Sequence, residues 1–378
     1  MKRRFDGYGL EEAPRGRGFL AGVASATVTV TVFALGLVAV IAAVWIYNSP
    51  GPAARQGGES TVVLRKGAGL SEIGAALERG GAINSAPLFM AAAQIGGAAK
   101  GLKAGEYAFP SRASLGQVLA KIRRGDIVHH RVTIPEGLTS QQVLDILAKT
   151  EVLVGQAPTP PEGSLLPETY DLVRGEERSA VLQRMMDARD KLLAQLWAKR
   201  QPGLPFESLD QAVTLASIVE KETAVASERP RVAAVYVNRL RRGMRLEADP
   251  TLIYGLNGGK PMGRGLLQSE LLTPGPYNTY LNAGLPPTPI GNPGRAALAA
   301  VLDPPATNDV FFVADGSGGH AFAATYEEHL KNVARWRQIE RARPTGQAAT
   351  TQDGTAPSGA GAAPLTGTGA AGLSTPRL

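Results

Sequence analysis

From residue 19 to residue 47 the chain carries no charged side chain, and Val, Ala, Leu, Ile and Phe dominate the run. At ~1.5 Å per helical residue, a run of this length crosses a ~30 Å hydrocarbon core. The pattern predicts one membrane helix. A cleaved signal peptide is the competing reading, although its apolar region is usually only ~7–15 residues long. Beyond residue 47 the apolar positions fall into short periodic sets. Thr61, Val62, Val63 and Leu64 read as a strand, and Ile73, Ala76 and Leu77 as a helix face. Residues 84–99 read as a second helix with Leu88, Phe89, Ala92 and Ile95 inward. A return strand is predicted at Gly105, Tyr107 and Phe109, and a helix over 115–123. A strand–turn–helix phrase recurs at 130–147: strand 130–134, turn Pro135–Glu136–Gly137–Leu138–Thr139, helix 140–147. Lys66–Gly67–Ala68–Gly69–Leu70–Ser71 matches that turn in kind, each ending in a hydroxyl suited to cap a helix.

The second half is more helical. Helices are expected over 178–199, 209–226, 229–241, 296–302 and 325–343, with a strand at 310–313. Residues 156–165 read as a loop. Residues 275–294, rich in Pro, Gly and Asn, read as an ordered irregular segment. The expected fold class is α+β: a membrane helix, a strand–helix module, then a mixed, mainly helical domain with a small sheet. The expected boundaries are a cytoplasmic N-terminus (1–18), membrane helix (19–47), tether (48–60), strand–helix region (61–155), mainly helical domain (156–343) and disordered tail (344–378).

Charge adds direction. Lys2, Arg3, Arg4, Arg15 and Arg17 precede the apolar run, while Arg55 and Glu59 are the first charges after it. That asymmetry keeps the N-terminus in the cytoplasm and sends the remainder across the membrane. The expected location is the inner membrane, single-pass, with the large domain periplasmic. The net charge of +7 comes without a basic stripe interleaved with aromatics, so nucleic acid is not an expected partner. An anionic lipid surface or an acidic wall polymer fits better. There is no cysteine, and the four histidines show no metalloprotease spacing. The chain has no Gly-rich nucleotide loop and no Gly-x-Ser-x-Gly turn, so no cofactor or metal is expected.

Among candidate reactive groups, Glu220 stands out. Leu209, Val213, Ala216, Ser217, Glu220, Thr223 and Ala224 share one side of the predicted helix. Burial of that side would raise the carboxyl pKa, which suits a general acid near neutral pH. A structural carboxylate, paired with Lys221 or Lys199, is the competing reading. Glu162 and Glu168 bracket a loop that leads to Tyr170, a place where acids and a ring can hold a sugar. Asp249 reads as a helix cap before Pro250 and Thr251. Tyr277, Asn278, Thr279 and Tyr280 offer hydrogen bonds and two ring faces. His320 follows a Gly/Ser approach.

Several phrases then follow in order: Ala216–Ser217–Ile218–Val219–Glu220–Lys221–Glu222, Val237–Asn238–Arg239–Leu240, Met244–Arg245–Leu246, Asp249–Pro250–Thr251 and Tyr254–Gly255. Pro276–Tyr277–Asn278–Thr279–Tyr280, Gly284–Leu285–Pro286–Pro287, Pro289–Ile290 and Asn292–Pro293–Gly294 complete the set. Together they resemble the endolytic murein transglycosylase family, the YceG-like membrane-anchored wall enzymes, over about residues 62–337. The resemblance implies a LysM-type module and a lyase that cuts peptidoglycan strands internally, with Glu220 as its catalytic acid. With it, residues 61–155 are expected to be a LysM-like glycan-binding region and 156–343 the catalytic domain. Glu162, Asp249, Tyr277 and Asn278 are candidates for orienting the sugars, with Glu168, Ser217, Thr251, Tyr280 and His320 as further candidate contacts. Peptidoglycan strands are the expected partner, and wall synthases a candidate one. A hydrolase using Glu162 or Asp249 as second carboxylate, and a non-catalytic wall scaffold, are the alternatives. Glu168, Glu247, Gly275 and Thr288 stand where the family more often has Asp, Gln, Ser and Gly.

Overall fold

The computed structural model describes residues 17–55 and 57–342. The expected cytoplasmic segment, apart from its last two residues, and the expected disordered tail lie outside that range. The chain forms two compact units that divide between Val128 and His129.

The first unit begins with α1 (Arg17–Asn48), within which residues 28–48 are apolar and long enough to cross a membrane. Phe33 and Trp45 are among its exposed apolar side chains, so length and composition fit a membrane span or signal anchor. Next come β1 (Glu59–Leu64), α2 (Leu70–Arg79), α3 (Ala86–Ile95), β2 (Gly105–Pro110) and α4 (Leu115–Arg124). β1 and β2 pair antiparallel, with Val62 opposite Tyr107. Alternation along β1 turns Val62 and Leu64 inward, onto Leu77, Phe89, Phe109, Val118 and Ile122. Two expectations shift here. The inward set of α3 is Ala86, Phe89 and Ala93, leaving Leu88 and Ile95 exposed, because positions three and seven apart share a face that 88 and 95 lie beside. Ser71 does not cap α2; Gly69 occupies the cap position without a side-chain bond. The expected tether is also partly docked: the Gly51 and Arg112 amides donate to the carbonyls of Arg112 and Pro52 at 3.2 and 3.0 Å.

The second unit contains β3 (His130–Thr133), α5 (Ser140–Lys149), β4 (Leu153–Val154), β5 (Thr169–Leu172), β6 (Glu176–Glu177), α6 (Arg178–Ala198), α7 (Leu209–Glu222) and α8 (Arg229–Arg241). It continues with α9 (Asp249–Asn257), α10 (Gln268–Leu271), α11 (Arg295–Leu302), β7 (Phe311–Ala314), β8 (His320–Ala323) and α12 (Tyr326–Ala342). The strands form separate pairs, β3 with β5, β4 with β6 and β7 with β8. Residues 129–155, grouped by sequence with the glycan-binding region, belong here because β3 pairs with β5 and Val143 and Leu147 pack on Leu172, Val181 and Met185.

α7 is the centre of this unit. Ser208 and Gln211 close its first turn as a capping box. Every residue from 212 to 219 is buried, so the one-sided helix expected from the pattern is enclosed all round, by α8, α9 and α11. Ala212 and Ala216 let those neighbours approach closely. Leu215, Ile218 and Val219 each contribute roughly 1.5–3 kcal/mol by full burial. The helix stops at Thr223, which is extended and accepts the Val225 amide at 3.0 Å, three residues before the expected end.

Candidate active site

Glu220 occupies the last turn of α7, where the buried helix meets charged and polar groups from other segments. Its side chain is 5% exposed. The Gly294 amide donates to Glu220 Oε2 at 2.8 Å, and Arg229 Nη2 donates to Oε1 at 3.1 Å. Burial is the largest influence and raises the carboxyl pKa; the Gly294 amide and Arg229 oppose it, and the neighbouring Glu136 carboxyl raises it further. Arg229 enters from the first position of α8, beside Pro230. Glu136 comes from the turn between β3 and α5, where Gly137 adopts φ +76°, a left-handed conformation that favours glycine. The Glu136 carboxyl lies directly against the bare Cα of Gly294, so a Cβ there would displace that side chain.

A buried asparagine ties these loops together. Asn292 is fully buried. Its side-chain amide donates to the Leu138 carbonyl, Ser140 Oγ and Glu162 Oε1 at 3.0, 3.2 and 3.3 Å. Its Oδ1 accepts the Leu165 amide at 2.9 Å, and its carbonyl accepts the Gly137 amide at 2.8 Å. Glu162 also accepts the Ser140 amide at 2.8 Å and the Tyr254 hydroxyl at 3.2 Å. Burial raises the Glu162 pKa against those bonds. Burial lowers the pKa of Lys221, while attraction to Glu162 and Glu220 pulls it up. Glu136, Glu162, Glu220, Lys221 and Arg229 thus form one charged cluster at the end of an apolar helix.

The other expected site residues sort by accessibility. Ser217 is 1% exposed, donates to the Thr214 carbonyl and accepts the Ile290 amide at 3.0 Å. Thr251 is fully buried, bonded to the Ala248 carbonyl and the Thr279 hydroxyl at 2.7 and 2.8 Å. Asn278 is 1% exposed and donates to the Leu271 and Thr273 carbonyls. The side chains of these three expected contacts already bond to the protein, away from solvent. Ala248, not Asp249, is the cap residue of α9. Asp249 instead accepts the Tyr280 hydroxyl, and Tyr280 also feels Glu222 and Glu247, which with burial raise its pKa. The Tyr170 hydroxyl donates to the Leu166 carbonyl at 2.6 Å, and its ring packs on the core.

Tyr277 and Tyr254 are half-buried, with ring centroids 5.0 Å apart. The Tyr277 hydroxyl bonds Thr288 at 2.6 Å, and Glu247 accepts Arg239 Nη1 at 3.2 Å, so two of the departures from family usage have local partners. Glu168 is exposed, 3.7 Å from Arg295. His320 does not sit on a flexible approach: it lies in β8, with its amide and Nδ1 on the Glu228 carboxylate at 2.9 and 2.8 Å. Sequence reasoning missed Arg229 and Glu136 as neighbours of Glu220, and Asn292 as the hub. The only trace of them was the phrase Asn292–Pro293–Gly294 and a turn glycine. Among the described residues, no group of three or more His, Asp or Glu is placed to hold a metal ion.

The sequence matches the YceG-like family over residues 62–335. It is 28% identical over 324 residues to the endolytic murein transglycosylase of Streptococcus pneumoniae serotype 2 strain D39, covering 72% of this chain and 58% of that protein. It is 27% identical over 300 residues to the endolytic murein transglycosylase of Bacillus subtilis strain 168, covering 71% and 82%. The match therefore spans less than two thirds of the pneumococcal relative. The crystal structure of a yceG-like protein from Listeria monocytogenes is similar at 29% identity and a TM-score of 0.46, covering 72% of this chain and 98% of that one.

Proposed function

The chain belongs to the YceG-like family, and we propose that it is an endolytic peptidoglycan lytic transglycosylase with Glu220 as its catalytic acid. The observation that carries this reading is the setting of Glu220: an almost fully buried carboxyl that nonetheless faces one peptide N–H and one guanidinium. Burial favours the protonated acid before reaction, and the two donors stabilise the anion once the proton has left. The names of the pneumococcal and Bacillus relatives support the same class of activity.

The substrate is the β-1,4 bond between N-acetylmuramic acid and N-acetylglucosamine. Glu220 gives its proton to the glycosidic oxygen as the C1–O bond breaks through an oxocarbenium-like state. The Glu220 carboxylate then takes the proton of the muramyl C6 hydroxyl, and O6 bonds to C1. The products are a new 4-hydroxyl and a 1,6-anhydro end, and Glu220 is protonated again. No water is consumed, and the intramolecular attack gains from proximity. Tyr277, Tyr254, Glu162 and the rim acid Glu168 are the sugar-facing candidates. The anchor α1 holds the enzyme at the inner membrane with its N-terminus in the cytoplasm, where it trims nascent strands and ends their elongation beside the synthases. The strand–helix–helix–strand order of the first unit supports a LysM-like role in holding glycan.

The test is mass spectrometry of products from uncrosslinked glycan and detergent-solubilised protein. Fragments ending in 1,6-anhydro-muramic acid are expected. Ends carrying one added water would identify a hydrolase instead. Glu220→Gln is expected to lower the rate by ~10²–10⁴ while glycan binding persists. Glycan binding with no product from either protein would identify a scaffold.

A further inference from the structure

Glu220 has two cations beside it, and each cation has a second acid. Arg229 Nη2 lies 3.1 Å from Glu220 Oε1 and 3.8 Å from Glu136 Oε2. Lys221 is attracted both to Glu220 and to Glu162. Glu136, Glu162 and Glu220 against Arg229 and Lys221 make a cluster that is neutral when one of the acids holds a proton. Arg229 alone, 3.1 Å from an enclosed carboxyl, would hold Glu220 ionised, and an ionised Glu220 has no proton to donate. The two acids that meet Arg229 differ in burial: the Glu136 side chain is 42% exposed and that of Glu220 5%. Water stabilises charge on Glu136 far better than on Glu220.

We propose that Glu136 is a positioning residue for the proton-donating step: its carboxylate draws on the Arg229 guanidinium, so that Arg229 does not strip Glu220 of its proton. The inference deepens the function proposed above and rests on it. The backbone is built to hold the pair together. The Gly137 amide is fixed on the Asn292 carbonyl at 2.8 Å, and the Glu136 carboxyl lies against the bare Cα of Gly294, whose amide binds Glu220. The charged groups around Glu220 are Lys221 on its own helix, Arg229 on α8, Glu136 on the β3–α5 turn and Glu162 behind Lys221, with Arg295 next to Gly294 and turned toward Glu168. Removing Glu136 leaves Arg229 uncompensated. Removing Arg229 does the reverse.

The experiment is the pH–rate profile of the full-length protein on uncrosslinked glycan, for wild type, Glu136→Gln, Glu136→Asp, Arg229→Gln and the double variant E136Q/R229Q. In Glu136→Gln the alkaline limb moves toward acid; a shift of about one pH unit lowers the neutral-pH rate about tenfold and is recovered at lower pH. Glu136→Asp restores part of the shift, Arg229→Gln moves the limb the other way, and the double variant returns toward wild type. A limb that stays fixed in Glu136→Gln and in Arg229→Gln overturns the proposal, as does an equal loss at every pH. Carboxyl 13C NMR titration, with the Glu220 signal identified by its loss in Glu220→Gln, reads the same coupling without turnover. Hydrolytic products with a moving Glu220 midpoint would remove the reaction and keep the coupling. Anhydro products with an unmoved midpoint would remove the coupling and keep the reaction.

Discussion

As the proposed general acid, Glu220 has to combine two demands that usually exclude each other. A general acid must hold its proton near neutral pH, and its conjugate base must be tolerated once formed. An enclosed site meets the first demand, and the Gly294 amide with Arg229 meets the second. The same shift makes a stability prediction. A carboxyl whose folded-state pKa is raised binds its proton more tightly folded than unfolded, so the stability it contributes is fully present below the unfolded pKa. It is lost as pH rises through the raised folded value. Thermal unfolding of Glu220→Gln and wild type across that window is expected to show the variant gaining on wild type as pH increases. A constant difference would mean that Glu220 titrates alike in both states. At this scale the sequence singled out Glu220 from its apolar neighbours, but it was silent on Arg229 and Glu136, which reach the carboxyl from a different helix and a distant turn.

At the scale of elements, the site depends on how α7 grips the irregular segment at 289–294. Ser217, one turn before Glu220, accepts the Ile290 amide and donates back into its own helix. Ser217→Ala removes the oxygen that accepts the Ile290 amide and leaves that buried donor without it, at a cost of ~1–3 kcal/mol. Because Gly294 follows four residues later, the loosened segment is also expected to slow turnover. Urea unfolding and glycan cleavage of the same variant check both; unchanged stability would show that water replaces the serine. Long elements such as α6, α7 and α8 were legible because their apolar spacing repeats over several turns. β5 and β8 were not. Each is four residues long, too short for alternation to speak, and β5 is specified by pairing with β3, a strand distant in the chain, His130 facing Leu172. In those strands Tyr170 bonds the Leu166 carbonyl and His320 the Glu228 carboxylate, partners that the sequence did not announce.

At the scale of the molecule, one helix among the described residues is long and apolar enough to cross a membrane; it opens the first of two units, each with its own core. If α1 spans the inner membrane with the basic end inside, a reporter enzyme fused after Glu340 is active only when it is one that works in the periplasm. A cytoplasmic reporter active at that junction would reverse the topology. The sequence by itself determined the apolar helix, the helical character of the second half, the ordered Pro/Gly/Asn segment and the acid at the end of α7. Each of these is written in local composition or in a short-range period, and backbone sterics and burial act on them within a few residues. Only the tertiary structure decided that α7 is buried on every side, that residues 129–155 join the second unit, and that Ser217, Thr251 and Asn278 bond inward. It alone gathered Glu136, Glu162, Lys221 and Arg229 around Glu220. Those outcomes depend on which distant segments exclude water from one another and which buried polar atoms must find partners there, and such pairings have no period along the chain.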